Sequence, residues 1–201
     1  MPNTSATGGF LLPTSPDPVG DLDLDRKLND LISGAAGLPG DLMRPRYQRE
    51  PPPRPPPDTD WGSFGVIELD RVGPNYIQHV PDGNGRDVMK CEWDLRIFVS
   101  FYGPNCGRIA QRFLDGLEET QNHESAVANG LHLREMRTIA ILGEQVNMSW
   151  YRRAELEILI RHKFSRDYDV LNILSAAGMV TSQGTSPEGP VEVDWNTELV
   201  Q

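Results

Sequence analysis

The residues able to do chemistry are few and scattered. The four histidines, His79, His123, His132 and His162, share no ligand spacing, and His123-Glu124 lacks the second histidine that a helix-borne zinc site needs. His162 falls on an apolar face and reads as a core residue. Cys91 and Cys106 are far apart and lack histidine partners, so they make neither a zinc site nor a disulfide framework. They read as buried free thiols of a reducing cytoplasm. Cys106 lies near a possible helix N-terminus, a position that lowers a thiol pKa and would make it reactive. Gly83-Asn84-Gly85-Arg86-Asp87-Val88 opens like a dinucleotide-binding loop but lacks the third glycine and falls in a hairpin turn. Tyr102, Glu118 and Glu119 could share a cleft, yet no pair among them stands out from ordinary surface charge. The expectation is therefore a protein that is not an enzyme, with no catalytic residue, cofactor or metal.

Composition narrows the remaining classes. A chain of 201 residues with 38% hydrophobic content suits one modest core with exposed segments that need a partner. No long apolar run suggests a membrane span, and the first residues lack the basic and apolar regions of a secretory signal. The net charge of −10 argues against gripping nucleic acid by its phosphates. An acidic lining would instead let a duplex slide past without sticking, but on charge alone ordinary solubility is the favoured explanation.

The elements that must position any site follow from periodicity. Residues 1–20 are small, polar and rich in Pro and Gly, and form an expected flexible arm with Phe10, Leu11 and Leu12 as an apolar hook. Residues 21–37 read as a helix, with Leu24, Leu28, Leu31, Ile32 and Ala35 on one stripe and Asp21, Asp23 and Asp25 in its first turn. Strands are expected from Trp61 to Asp70, over Tyr76–Val80 and over Lys90–Phe101, with a tight turn at Pro81–Gly85. In the third strand Cys91, Trp93, Leu95, Ile97, Val99 and Phe101 share one face. Asn105 is a candidate cap for a helix through about Gln121, and a short helix is expected over Ser125–Asn129. Leu131–Leu142 reads as a strand and Gly143–Ser149 as a loop. Trp150–Phe164 is the second clear strand, with Ala154, Leu156, Ile158, Ile160, His162 and Phe164 inward and Arg153, Glu155, Glu157, Arg161 and Lys163 outward. Asp167–Val180 fits either a short helix or a last strand, and residues 181–201 a loose tail or arm. The layout predicts an α+β domain over 61–180, a mostly antiparallel sheet covered by helices on one face, with extended N-terminal and Pro-rich arms.

Residues 38–60 are the distinctive stretch. Pro45, Pro51, Pro52, Pro53, Pro55, Pro56 and Pro57 cannot donate backbone hydrogen bonds, so Glu50–Pro57 should adopt polyproline II. Arg44, Arg46, Arg49 and Arg54 make the stretch basic inside an acidic chain. Tyr47 and Trp61 are large anchors at its ends. Three roles fit: a solvated linker, a Pro-rich ligand for a partner domain, or an ordered arm laid across a neighbouring subunit.

The third role gains weight from likeness. Leu38–Gln48 (LPGDLMRPRYQ), the proline run, Asp60–Val66 (DWGSFGV) and the later Ser149–Arg161 (SWYRRAELEILIR) resemble the neck or tail terminator proteins of contractile-tailed bacteriophages. The resemblance spans about Leu22 to Phe164. It implies the same fold and a homo-hexameric ring that caps the tail tube and sheath, stops tail growth and meets the connector or stopper proteins. It also implies a lumen that passes DNA without reading sequence, a place in the virion after assembly in the host cytoplasm, and no membrane contact. On that reading Arg44, Arg46, Tyr47 and Trp61 are the candidate subunit-interface residues. The alternative is a non-viral soluble module that presents its Pro-rich segment to a partner domain.

Overall fold

The computed structural model describes residues 3–15, 21–81, 85–146, 148–172, 175–182 and 191–198. Its helices are α1 (Asp21–Ala36), α2 (Cys106–Glu118) and α3 (Thr120–Ala128). Its strands are β1 (Met43–Pro45), β2 (Trp61–Arg71), β3 (Tyr76–Val80), β4 (Arg86–Tyr102), β5 (Leu131–Met136), β6 (Ala140–Val146), β7 (Ser149–Asp169), β8 (Ser175–Ser182) and β9 (Val191–Glu198). The chain divides into a larger unit, residues 15–77 with 89–166, and a smaller one, residues 1–14, 78–88 and 167–201.

Alternation of residue type decides which side of the main sheet is dry. Leu95, Ile97, Val99 and Phe101 of β4 are at most 1% exposed, and Ala154, Leu156, Ile158 and Ile160 of β7 are buried with them. A period of two puts each set on one face. Among the described residues the sheet has seven strands in the order β1-β2-β4-β7-β5, with β3 also on β4 and β6 also on β7. Leu28, Ile32 and Ala36 of α1 and Ile109, Ala110, Phe113 and Leu117 of α2 cover the dry face. Phe113 packs on Phe101 with ring centroids 5.6 Å apart. The two helices approach closely at Gly116, where a Cβ would stand 2.8 Å from the Ala35 carbonyl oxygen. The fold is thus α+β with a mostly antiparallel sheet, as the periodicity predicts.

The exception to antiparallel pairing bears on the site. β1 runs parallel to β2, with Met43 opposite Gly62 and Pro45 opposite Phe64. Parallel neighbours cannot be joined by a hairpin, and the Pro-rich stretch supplies the crossover.

Several boundaries differ from the sequence reading. The helix expected through Gln121 stops at Glu118, because Glu119 turns extended and its carboxylate accepts from the Gln121 and Asn122 amides at 2.7 and 3.3 Å to cap α3. Asn105 makes no side-chain cap; its amide side chain donates to Asp60 Oδ2 at 2.8 Å instead. The strand expected over Leu131–Leu142 is two strands. β5 pairs with the Ile158–His162 part of β7, and β6 pairs with Ser149–Glu155. Residues read as the loop from Gly143 are therefore largely ladder, and the chain between Met136 and Ala140 leaves it.

In the smaller unit β8 and β9 form an antiparallel pair, Ser175 opposite Glu198, where the sequence offered an undecided segment and a tail. Thr14, in the expected flexible arm, donates its amide to the Asp167 carbonyl at 2.8 Å. The tip of the Pro81–Gly85 turn lies outside the described residues.

Burial this complete generates a direct test. Ile97→Asp and Leu156→Asp each place an unpartnered carboxylate in the dry layer at a cost of several kcal/mol, a large part of a domain's stability. Neither variant should show a cooperative thermal transition by circular dichroism. Ile141→Asp, at a side chain 58% exposed, should unfold like the parent protein.

Candidate functional site

The face turned away from the helices is charged. Arg161 forks onto Asp94, Nε to Oδ1 at 2.8 Å and Nη2 to Oδ2 at 3.0 Å, and these bonds hold the Asp94 carboxyl below its ordinary range. Arg161 therefore ties β4 to β7 instead of standing free on an outer surface. Arg96 meets Glu68 at 2.9 Å, Arg153 meets Glu155 at 3.1 Å and Lys163 meets Glu92 at 3.3 Å. With one face packed and the other polar, the sheet has the usual antiparallel asymmetry.

Across one end of this open face lies the proline stretch, strapped down by its arginines. The Arg46 amide donates to the Phe64 carbonyl at 2.6 Å, continuing the line of β1 for one more bond. The Arg46 side chain donates to Ser100 Oγ at 2.5 Å and stacks over the Phe98 ring at 4.5 Å. Arg44 donates to the Pro53 carbonyl at 2.7 Å, which ties the outgoing chain to the returning one. Arg54 meets the largest set of partners on the face. Its guanidinium stands 4.4 Å from the Tyr151 ring centre, 5.3 Å from Tyr102 and 5.9 Å from Trp61, with Glu144 Oε2 at 3.5 Å. Trp61 and Tyr102 stack at 4.2 Å and 11°, forming the platform. Pro55 is buried beside it. A cleft of about 280 Å³ remains between the strap and these residues. Prolines have no amide to offer a sheet, so side chains and cation–π contacts must hold the segment.

The residues expected at an interface divide here. Arg44, Arg46 and Trp61 hold the strap to its own sheet. Tyr47 turns outward with a positive φ of 62° and is 79% exposed. Sequence reasoning counted Arg54 as one basic residue among several and passed over Tyr151 and Glu144. The available signal was the lone arginine inside a proline run, but its partners lie on strands whose register only folding sets.

The residues examined for chemistry do not converge. Tyr102 belongs to the platform, while Glu119 caps α3. Cys91 and Cys106 are both free and buried. That agrees with the buried-thiol reading, and the reactive alternative for Cys106 is overturned, because burial pushes its thiol above the ordinary value. His79 lies in the smaller unit, where its ring nitrogens contact Asp87 Oδ1 and Asn172 Oδ1, each at 2.8 Å. Burial lowers the pKa of His132. His162 is 4% exposed, and burial, with Lys27 nearby, pushes it down to about 4. Among the described residues no metal-holding cluster forms, and no helix is long and apolar enough to cross a membrane.

Two measurements follow. His162 is neutral in the folded chain and takes up a proton near pH 6.5 when unfolded. Its folded pKa is depressed, so its stabilising contribution is complete above about 6.5 and is lost as pH falls toward 4. The full loss is about 3 kcal/mol. Urea midpoints should drop across that window and drop less in His162→Leu. A thiol reagent such as dithiobisnitrobenzoate should label neither cysteine of the native protein and both after denaturation, since reaction needs an exposed thiolate.

Compared with known proteins, residues 22–185 match a family model described as phage neck terminator protein. No curated protein matches the chain.

Proposed function

Since the chain belongs to the phage neck terminator family, a structural class found in the virion, we propose that six copies close a ring at the neck of a contractile-tailed phage. The ring caps the tail tube and sheath, stops their growth and seats the connector or stopper proteins above. DNA passes through its lumen during ejection. Its work is done by interface geometry, with no bond made or broken. Assembly takes place in the host cytoplasm, where the two free thiols stay reduced.

The observation that carries this reading is the pair of unlike exposed surfaces on the larger unit. One is the strap, from which Tyr47 projects. The other is the β6–β7 hairpin, where Ile141, Met148 and Trp150 are 58%, 92% and 72% exposed. Exposed large apolar groups in company mark interaction surfaces. A head-to-tail ring needs two different patches per subunit, and aromatic anchors such as Tyr47 and Trp150 suit them. An acidic lumen would repel phosphate, and a chain of net charge −10 can supply one. In the interface Tyr47 reaches the neighbour, while Arg44, Arg46 and Trp61 set the strap that presents it. The alternative, a module offering its Pro-rich segment to an unrelated domain, is less favoured. Arg54, the basic group such a partner would need, is held within the chain, and Pro55 is buried.

Analytical ultracentrifugation and electron microscopy of the purified protein, alone and with tail tubes, test the ring. A six-subunit species is expected. Tyr47→Ala should melt within about 0.5 kcal/mol of the parent yet need at least a tenfold higher concentration to assemble. Replacing Arg44, Arg46 and Tyr47 together by Ala should leave a folded protein that forms no ring. A parent protein that stays monomeric even with tail tubes would defeat the proposal.

A further inference from the structure

We infer that the open face carries a groove for an arginine-bearing polyproline II segment, and that in the assembled ring the Pro-rich strap of a second copy fills it in exchange for the chain's own. The groove is independent of the ring; the exchange rests on the ring reading.

The chemistry of the seat is that of polyproline recognition. A polyproline II helix has no internal hydrogen bonds, so its carbonyls stay free to accept. Domains that bind it use flat aromatic surfaces, and a carboxylate suits any arginine it carries. Each part is present. Trp61 and Tyr102 make the stacked platform. Tyr151 takes the face of the Arg54 guanidinium at 4.4 Å, and Glu144 stands 3.5 Å from it. Arg44 donates to the Pro53 carbonyl at 2.7 Å.

The groove residues come from β1, β2, β4, β6 and β7, whereas the ligand is the chain between β1 and β2. Their match does not depend on the covalent link, so the strap of another copy offers the same atoms. Two features permit exchange. Arg46–Asp60, at about 3.1 Å per residue, can loop roughly 20 Å out and back. The rigid prolines also lose little entropy on docking. In a free monomer the tethered strap wins by effective concentration. In a ring the neighbour's strap is held just as near, and Tyr47 projects from the same segment.

The groove is tested with a fluorescent peptide of residues 50–59. It should bind the full-length Arg54→Ala protein, whose own strap is loosened, at least tenfold more tightly than the parent. A peptide with Ala in place of its arginine should bind at least tenfold more weakly, and adding Tyr151→Ala to the protein should abolish binding. A second host, with residues 50–57 replaced by a Gly/Ser stretch of equal length, should bind like Arg54→Ala. If both hosts melt like the parent yet neither takes the peptide, the groove is overturned.

Exchange is read from a protein carrying the photocrosslinker benzoylphenylalanine in place of Pro52, which lines the cleft without holding Arg54, irradiated in the ring. Exchange gives cross-linked multimers on a denaturing gel. Rings containing only intrachain cross-links overturn the exchange and leave the ring reading standing. Peptide binding without any ring of the parent protein overturns the ring reading, and the exchange with it, and leaves the groove.

Discussion

The side-by-side pairing of β4 and β7 with one face dry is the constraint on which the rest depends. Gly103 donates to the Arg152 carbonyl and Arg161 reaches Asp94, so the two strands run in opposite directions and hold register over a long ladder. Their inward residues require a cover, which α1 and α2 supply. Their outward residues are then free to be charged, and the ion pairs of the open face follow. A one-residue slip would exchange the two faces and bury the charges, so the register is protected from both sides.

That open face explains how a segment so rich in proline can be ordered at all. Beyond the Arg46 amide its proline run offers none to a ladder, and it has little apolar surface to bury. What it has is arginine at positions 44, 46 and 54, and the face provides an aromatic ring, a hydroxyl or a carboxylate for those that hold it. Arg49 lies at the exposed bend. The same economy sets the outward turn of Tyr47. Arg46 bonds to β2 and Arg44 to the returning chain, and the residue beyond Arg46 is left in the left-handed conformation, its ring edge near Gly65 and most of its surface in water.

The buried ionisable groups are held in their neutral forms for a common reason. Desolvation disfavours the charged form of each, raising Cys106 and lowering His162. For Cys106 the nearby Arg152 acts the other way but does not outweigh burial. For a neck protein whose task is to fit its neighbours, the titratable groups that matter are the paired ones on the surface.

Periodicity in the sequence was enough to determine the α+β class, the stripe of α1 and the inward faces of β4 and β7, while composition marked out the proline stretch. The first three depend on local patterns of two and 3.6 residues, and the likeness around Leu38–Val66 led to the family later matched. Only the tertiary structure decided where the proline stretch lies, because its holds are side-chain contacts with residues far along the chain: Arg54 with Tyr102, Glu144 and Tyr151. Likewise Leu131–Val146 split into two strands because β7 is long enough to pair with both, and Asn105 gave up its cap because Asp60 came within 2.8 Å. No local pattern encodes those approaches. They arise when register brings Trp61 opposite Tyr102 and Gln145 opposite Trp150, and register belongs to the folded sheet.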